Sequence, residues 1–523
     1  MKKGVRILLY TFIVYIVLLL LLVAVESGDP AASIRTIWDA VWFSLITMTT
    51  VGYGDLSPVT PLGRILGLVF ALCSIGILTA LIGIGLQLIA GQFIPSLRLR
   101  LSRRHSWYVF SAENADAAAL AEDLRKQDKD CLFLLPSQEK KGMAGPNVIR
   151  MDLDTDRLIR LRGGQRAGLS LFFMDSDPWK NYAAALKSAV HDIPVYCMTD
   201  VPDDDPADGL HLFSRTEALG RSYWKEYPLK AKERCVVLIG CGRSGCALLE
   251  RALLTNVFEP GRGVEYHVFC DSVGFASIHP QIVRALASRE EEDRLIFHSQ
   301  SWMDDPALLA RADRIIFCLE EDSNNLEAYE TLRTWVSTPA TIHVRLTEAI
   351  PSLLSFGERD KIITAEFVMK DALNRRAAAL NEIYNANSPN GAKWEDLGWF
   401  LRQSNIAVAD HLAVKVRYLL EDESILEVTP EICARAYERF LAASPEEKEL
   451  MKEMEHRRWM RFHWMYNWQY APERDNDKRQ HPLLIPYGEL ETSEQDKDSY
   501  AWEMLGKLAG LPGKSSVQQQ EEA

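Results

Sequence analysis

The chain lacks the means to build a disulfide framework or a cysteine-based zinc finger. Its nine cysteines are odd in number, scattered over 523 residues, and never form a CxxC pair. Several, such as Cys235, Cys270 and Cys318, fall in apolar strand-like stretches, a usage that suits a reducing compartment. A basic excess is missing too. With 72 acids against 59 lysines and arginines the net charge is −13, which excludes nucleic acid as the main partner, because phosphate binding requires cationic surplus. Acidic runs occur at Asp203, Asp204, Asp205 and Asp208, from Glu290 to Asp293, and at Glu320, Glu321 and Asp322. None has the EF-hand spacing with a closing glutamate, and such runs read as solvated faces.

What the chain does carry is two long apolar runs near its start. Val5–Val25 and Ile65–Ala90 each supply the roughly 20 residues of helix that cross a hydrocarbon layer. Lys2, Lys3 and Arg6 precede the first run, Arg98, Arg100, Arg103 and Arg104 follow the second, and Glu26 and Asp29 lie between them. The cationic bias places both termini in the cytoplasm and the intervening loop outside. A cleaved signal peptide is the rival reading of the first run, but no small-residue cleavage pattern follows it. Gly67, Gly76, Gly83 and Gly85 punctuate the second run, as packing sites or, for Gly76 and Gly83, as hinges.

Between the runs, Thr36–Thr49 reads as a short aromatic-rich helix with Trp38, Trp42 and Phe43. Thr50, Val51, Gly52, Tyr53, Gly54 and Asp55 follow it. Stacked rings of backbone carbonyls can replace the water shell of a potassium ion. Aiming successive carbonyls one way puts alternate residues in unusual backbone regions, which glycine tolerates, and Gly52 and Gly54 sit at that alternation. The Thr50 hydroxyl adds a further oxygen. One chain supplies one strip of oxygens, so a closed ring needs several chains, most simply four. The segment resembles a potassium-channel selectivity filter. The resemblance implies K+ held at Thr50, Val51, Gly52 and Tyr53, with Trp42 and Asp55 pairing behind them. Ile46 departs from relatives that carry an acid there. No span carries the arginine repeat of a voltage sensor.

The next stretch alternates strand and helix twice. Strands are expected at Trp107–Phe110, Cys131–Leu135, Val148–Met151, Leu169–Met174 and Pro194–Met198, with a helix over Ala115–Lys126. A second set is expected at Cys235–Ile239, Tyr266–Cys270, Leu295–Phe297, Arg314–Leu319 and Thr341–Leu346. This pattern argues for parallel, doubly wound sheets. An internal repeat supports duplication: Phe172 to Asp175 leads to Asn181 much as Ile316 to Leu319 leads to Asn325. The polar stretch around Tyr223–Lys232 would join the two lobes. A two-span pore followed by two such lobes resembles potassium channels gated by regulator-of-conductance (RCK) domains. That likeness implies a homotetramer in which a ring of lobes pulls on the pore through Gln92–Leu101. It also raises calcium gating through the acidic runs as an alternative.

The two lobes differ at their first turn. In the second, Gly240, Gly242, Arg243, Ser244 and Gly245 form a GxGxxG fingerprint between strand and helix. Gly240 makes the tight turn, Gly242 admits a pyrophosphate, Gly245 allows close helix packing, and Asp271 is placed to bind a ribose. NAD(H), an adenine nucleotide or a cyclic dinucleotide would suit. The first lobe has Ser111-Ala112-Glu113-Asn114-Ala115-Asp116 there, with no glycine and an acid that repels phosphate. No acid–base constellation accompanies the fingerprint, which counts against a membrane-anchored oxidoreductase and for a protein that is not an enzyme.

The last third carries Glu455-His456-Arg457-Arg458-Trp459, Trp464, Trp468-Gln469-Tyr470, Arg474, Lys478, His481-Pro482 and Pro486-Tyr487. Over about residues 450 to 506 this order resembles the repeat named after ryanodine receptors (RyR), with Asn467 and Ala471 in place of two glycines. His456, Trp459, Trp468, Tyr470, Arg474, Lys478, His481 and Tyr487 combine stacking surfaces with cations, the parts that hold a phosphorylated base. Spacings of five and four among Trp459, Trp464 and Trp468 also allow a helical core.

The expected layout is a membrane α-helical pore domain over 1–95 (helix 5–25, pore helix 36–49, filter 50–55, helix 64–90) and a linker over 96–105. Cytoplasmic α/β Rossmann-like lobes follow over 106–228 and 229–360, then a helical connector over 361–445, a small mainly α RyR-like domain over 446–510 and a disordered tail over 511–523. The implied protein is a multi-pass potassium channel of the plasma (inner) membrane, in contact with lipid and opened or closed by a small nucleotide-type ligand. The alternative is a constitutive or calcium-gated channel whose lobes are only structural.

Overall fold

The computed structural model describes residues 2–88, 93–102, 105–137, 143–151, 155–162, 168–189, 193–202, 209–270, 273–288, 292–386 and 391–511. It divides into two compact units, residues 1–103 with 149–163 and residues 104–148 with 164–523.

In the first unit three helices, Lys2–Glu26, Ile37–Met48 and Pro61–Leu88, are followed by a shorter one, Ile94–Leu101. Each start has a local cause. Thr36 accepts from the Asp39 amide while Asp39 accepts from the Thr36 amide, a reciprocal cap. Wholly buried Glu26 accepts from the Val59 and Thr60 amides at 2.9 and 3.0 Å, fixing the entry to the Pro61 helix. Leu19, Leu22, Ile34, Ala40, Phe43 and Phe70 form a small core, while Phe12, Leu20, Leu68 and Leu72 stand exposed. The spans expected over 5–25 and 64–90 fall on the first and third helices, and the last two residues of the second span lie outside the described residues. Among the described residues no helix is long and apolar enough to cross a membrane.

Two six-stranded sheets repeat one plan, and all their strands but Val148–Met151 lie wholly in the second unit. The first contains β1 (Ser106–Phe110), β2 (Cys131–Pro136), β3 (Val148–Met151), β4 (Gly168–Phe173), β5 (Val195–Met198) and β6 (Leu210–Phe213). The second contains β7 (Cys235–Ile239), β8 (Glu265–Phe269), β9 (Arg294–His298), β10 (Arg314–Phe317), β11 (Thr341–Arg345) and β12 (Ser355–Phe356). Their orders are β3-β2-β1-β4-β5-β6 and β9-β8-β7-β10-β11-β12, both the doubly wound order 3-2-1-4-5-6. The sixth strand of each sheet was not expected: Leu210–Phe213 follows an acidic run, and Ser355–Phe356 is too short to carry a period-2 signal.

The duplication extends to hydrogen bonds. Asn181 takes the Asp175 amide at 2.7 Å and gives to the Asp175 carbonyl at 2.8 Å. Asn325 does the same to Leu319 at 2.8 and 2.9 Å. Both asparagines are buried, where an unpaired backbone group costs about 1–3 kcal/mol. The polar stretch between the lobes is not a loose linker, because Tyr223 and Trp224 are buried on the helix Arg215–Glu226.

The rest of this unit is helical, with Trp399–Leu420, Pro430–Leu441, Pro445–Met465 and Tyr500–Leu508 as its main elements. It docks on the second lobe through Arg461–Asp293 at 2.5 Å and Arg457–Glu292 at 3.0 Å, and on the helix Arg215–Glu226 of the first lobe through Arg221–Asp410 at 2.8 Å. Two members of the acidic run at 290–293 are therefore spent on internal pairs rather than on solvent. Asp203, Asp204, Asp205 and Asp208 lie outside the described residues.

Candidate functional sites

The helix Ile37–Met48 ends at Thr49, and the next six residues run exposed. Thr50, Gly52 and Gly54 have φ of 59°, 55° and 75°, while Val51 and Tyr53 stay on the negative side. Alternate residues thus occupy the left-handed region, the backbone pattern that sets successive carbonyls on one side. The Val51 and Gly52 amides donate to the Ile46 carbonyl at 3.0 and 3.3 Å, tying the strip to the preceding helix. Trp42 Nε1 donates to Asp55 Oδ2 at 2.9 Å, and the Trp42 and Tyr53 rings lie nearly parallel. A Cβ on Gly52 would meet nothing within 4 Å, so the demand for glycine there is conformational and not spatial.

At the second-lobe turn each glycine has a distinct reason. Gly240 has φ of +101°, and a Cβ on Gly245 would stand 2.1 Å from the Gly240 carbonyl, so the helix Arg243–Thr255 packs against the turn only through glycine. Gly242 is the cap of that helix, and a Cβ there would lie 2.1 Å from Glu320 Oε1. The Glu320 carboxylate accepts from the Ser244 amide at 3.3 Å. It therefore sits at the amide-lined helix start where a phosphate would bind. Glu320 lies three residues beyond the end of β10, and sequence reasoning assigned it to an acidic run. Asp271 lies outside the described residues.

Arg243 and Ser244 also line a cavity of about 320 Å³ between the two lobes. Its first-lobe wall includes Asp116, which pairs with Arg359 at 2.8 Å and Arg215 at 3.2 Å. Arg345 donates to the carbonyls of Leu319 and Glu320 at 2.7 and 2.9 Å. In the first lobe Asn114 caps its helix by accepting from the Ala117 amide, which occupies the turn that a phosphate would need.

In the C-terminal region a cleft of about 720 Å³ brings together His456, Trp459 and His481 of the expected set. Trp459 meets the His481 ring at 4.9 Å, edge to face. Tyr487 lies beside His456 and donates to Glu449 at 2.8 Å. The other candidates are elsewhere. Trp468 is buried and stacks on Phe400 at 5.5 Å. Tyr470 is exposed, Arg474 donates to Asn476, and Lys478 pairs with Asp475. Trp459 and Trp464 share the helix Pro445–Met465, which ends before Trp468, and all three tryptophans pack on one apolar core. Asn467 takes φ of +63°, a left-handed conformation that asparagine tolerates. Sequence reasoning missed Tyr384, Asn405 and Arg458 on the cleft wall.

Charge behind this cleft is tightly held. Lys415 and Arg458 pair with Glu455 at 2.6 and 2.7 Å. Burial opposes the Glu455 charge, yet the Arg458 and Lys415 cations hold its carboxyl below the ordinary range. Burial pushes the His463 and His411 imidazoles down to about 3, so both are neutral at pH 7.

Residues 6–90 match the family model described as an ion channel. Over 59 residues the chain is 49% identical to a voltage-gated potassium channel of Aeropyrum pernix, covering 11% of this chain and 20% of that protein. Over 54 residues it is 48% identical to the potassium voltage-gated channel protein shk-1 of Caenorhabditis elegans, covering 10% of each. The chain thus spans a fifth or less of the length of these two relatives. Among solved structures it is similar to the GsuK channel bound to NAD, at 11% identity and a TM-score of 0.27, covering 73% of this chain and 86% of that one. It is also similar to GsuK bound to ADP, at 15% identity and a TM-score of 0.26, covering 65% and 90%. Likenesses at such TM-scores say nothing further about this chain.

Proposed function

We propose that four copies of this chain form a potassium-selective channel of the plasma (inner) membrane. In this reading the apolar runs Val5–Val25 and Ile65–Ala90 of the sequence span the bilayer, both termini face the cytoplasm, and Thr50 to Tyr53 coordinate K+. The observation that carries it is the left-handed alternation at Thr50, Gly52 and Gly54, pinned by the Trp42–Asp55 bond, within residues that match an ion-channel family. The tandem lobes act as an RCK-type ring. A nucleotide-type ligand sits on the second-lobe turn and favours one pore state by binding it more tightly. The C-terminal region, read as an RyR-like second sensor, takes a phosphorylated base against Trp459. It packs on the helix Arg243–Thr255 that starts at the turn: Tyr466 donates to Glu250 at 3.1 Å and Arg251 to Gln403 at 2.7 Å.

A second reading is favoured by Glu320. Its carboxylate already holds the anion position, as it would in lobes that serve only to assemble the ring. Reconstitution of the full chain into liposomes separates the readings. Selective K+ over Na+ flux that changes with NAD, ADP or a cyclic dinucleotide is the expected result. Flux without K+ preference overturns the filter assignment, and selective flux indifferent to every ligand favours the second reading.

A further inference from the structure

A cluster of side chains with metal-ligating atoms lies on the second sheet, apart from the turn and from the cleft. Strands β7 and β8 pair in parallel with Cys235 opposite Glu265 and Val237 opposite His267. Alternation along each strand then puts Cys235, Glu265 and His267 on one face. His298 of β9, opposite Phe269, joins the same face. The Cys235 sulfur, a Glu265 oxygen and a His267 ring nitrogen all lie within 4.8 Å of one another. Cys235 and His267 are buried and Glu265 is half-buried.

These three groups converge on one positive charge. Arg311 Nη1 lies 3.1 Å from Glu265 Oε2 and 3.6 Å from Cys235 Sγ, and Nη2 lies 3.2 Å from His267 Nε2. A guanidinium only donates, so His267 Nε2 presents its lone pair and Nδ1 carries the proton. Nδ1 then donates to His298 Nε2 at 2.9 Å. That is the tautomer and the outer partner of a metal-bound histidine. Arg311 closes a short helix, and 54% of its side chain is exposed, so it can swing away without disturbing the sheet.

We propose that Cys235, Glu265 and His267 bind one Zn2+, which displaces Arg311, with His298 orienting His267 and water in the fourth position. Sulfur, nitrogen and carboxylate oxygen together suit zinc rather than magnesium or calcium. Bonds of about 2.0–2.3 Å in a tetrahedron set donor atoms about 3.3–3.7 Å apart. Glu265 Oε2 and His267 Nε2 are 3.5 Å apart. Binding releases the Cys235 thiol proton to water, so the site becomes a thiolate, a carboxylate and a neutral imidazole around the dication. The absence of CxxC does not bear on this site, because its ligands come from two strands paired in space. The proposal is independent of the channel reading.

The test uses the purified, metal-stripped full chain titrated with Co2+ and then Zn2+. One equivalent per chain should bind with a thiolate-to-cobalt charge-transfer band that zinc abolishes and excess Mg2+ does not. Cys235→Ser should lose the band, and His298→Ala should weaken binding about 10–100-fold. Arg311→Ala changes only an exposed arm, keeps the fold and should bind more tightly. Cobalt binding without the thiolate band, displacement by Mg2+, or Arg311→Ala affinity no better than the parent's would overturn the site.

Discussion

Replacing Glu320 by Gln should strengthen nucleotide binding at the second-lobe turn. The carboxylate lies over Gly242 and accepts from the Ser244 amide at 3.3 Å. The amides and positive dipole end of the helix Arg243–Thr255 are thereby engaged by an internal anion. An incoming phosphate must push that anion aside and then remain close to it. Two unit charges 4 Å apart repel by about 1 kcal/mol in water and about 4 kcal/mol at an effective dielectric of 20. Glu320 is exposed, so solvent screening holds the value near the lower figure. Glutamine keeps the shape and removes the charge. A gain of about 1–2 kcal/mol corresponds to about 5–30-fold in affinity.

The assay is calorimetric titration of the full chain with NAD and with ADP at low and high salt. The gain should shrink at high salt, since it arises from charge. Unchanged or weaker affinity for both ligands at low salt would refute the argument. It would mean that phosphate does not compete with Glu320 and that the second-lobe turn is not its site.

At the pore, Gly52→Ala should abolish potassium preference, because a side chain at φ of +55° costs about 1–2 kcal/mol in each copy; normal K+ over Na+ selectivity in reconstituted tetramers would contradict this. In the C-terminal region, Trp459→Ala should cost about 1–3 kcal/mol of base binding, with a smaller loss of stability than at a fully buried tryptophan because its ring is only half-buried. Trp468→Ala, which empties a buried site, should instead cost about 3–5 kcal/mol of stability, and paired melting and binding curves separate the two. His463 and His411 sit near pKa 3 when folded against about 6.5 unfolded, so the unfolded chain takes up protons first. Stability is then whole above pH 6.5 and falls as pH drops towards 3, by up to about 2.7 kcal/mol per unit for the pair; a flat denaturation midpoint between pH 6.5 and 5 would refute it.

What was legible in the sequence was local. The segment Thr50 to Asp55 carries its chemistry in consecutive residues, and the glycine turn announces its own geometry. The paired asparagines were legible as a repeat because each acts over a six-residue reach. What was not legible came from chain distant in sequence. Glu320 reaches Gly242 only because β10 pairs with β7, and Tyr384 and Asn405 reach Trp459 only through helix packing. The tryptophan spacings placed Trp459 and Trp464 on one helix and foresaw their core packing, but Trp468 lies past the turn at Asn467, where a helical period no longer applies.

The lobes share a strand order but divide one task. In the second, three glycines keep the turn open to an anion, and Glu320 of the same lobe fills it. In the first, Asn114 seals its own helix start, and Asp116, buried two residues on, holds Arg215 and Arg359 against the shared cavity. Arg215 belongs to the first lobe's last helix and Arg359 follows the second lobe's last strand, so the Asp116–Arg359 bridge joins the lobes at the wall where Arg243 stands while Arg215 steadies Asp116 from its own lobe. A ligand that displaces Glu320 therefore changes the charge facing a set of arginines drawn from both lobes. Under the proposed function, that is the physical route by which an anion at one turn alters how firmly the two lobes hold each other.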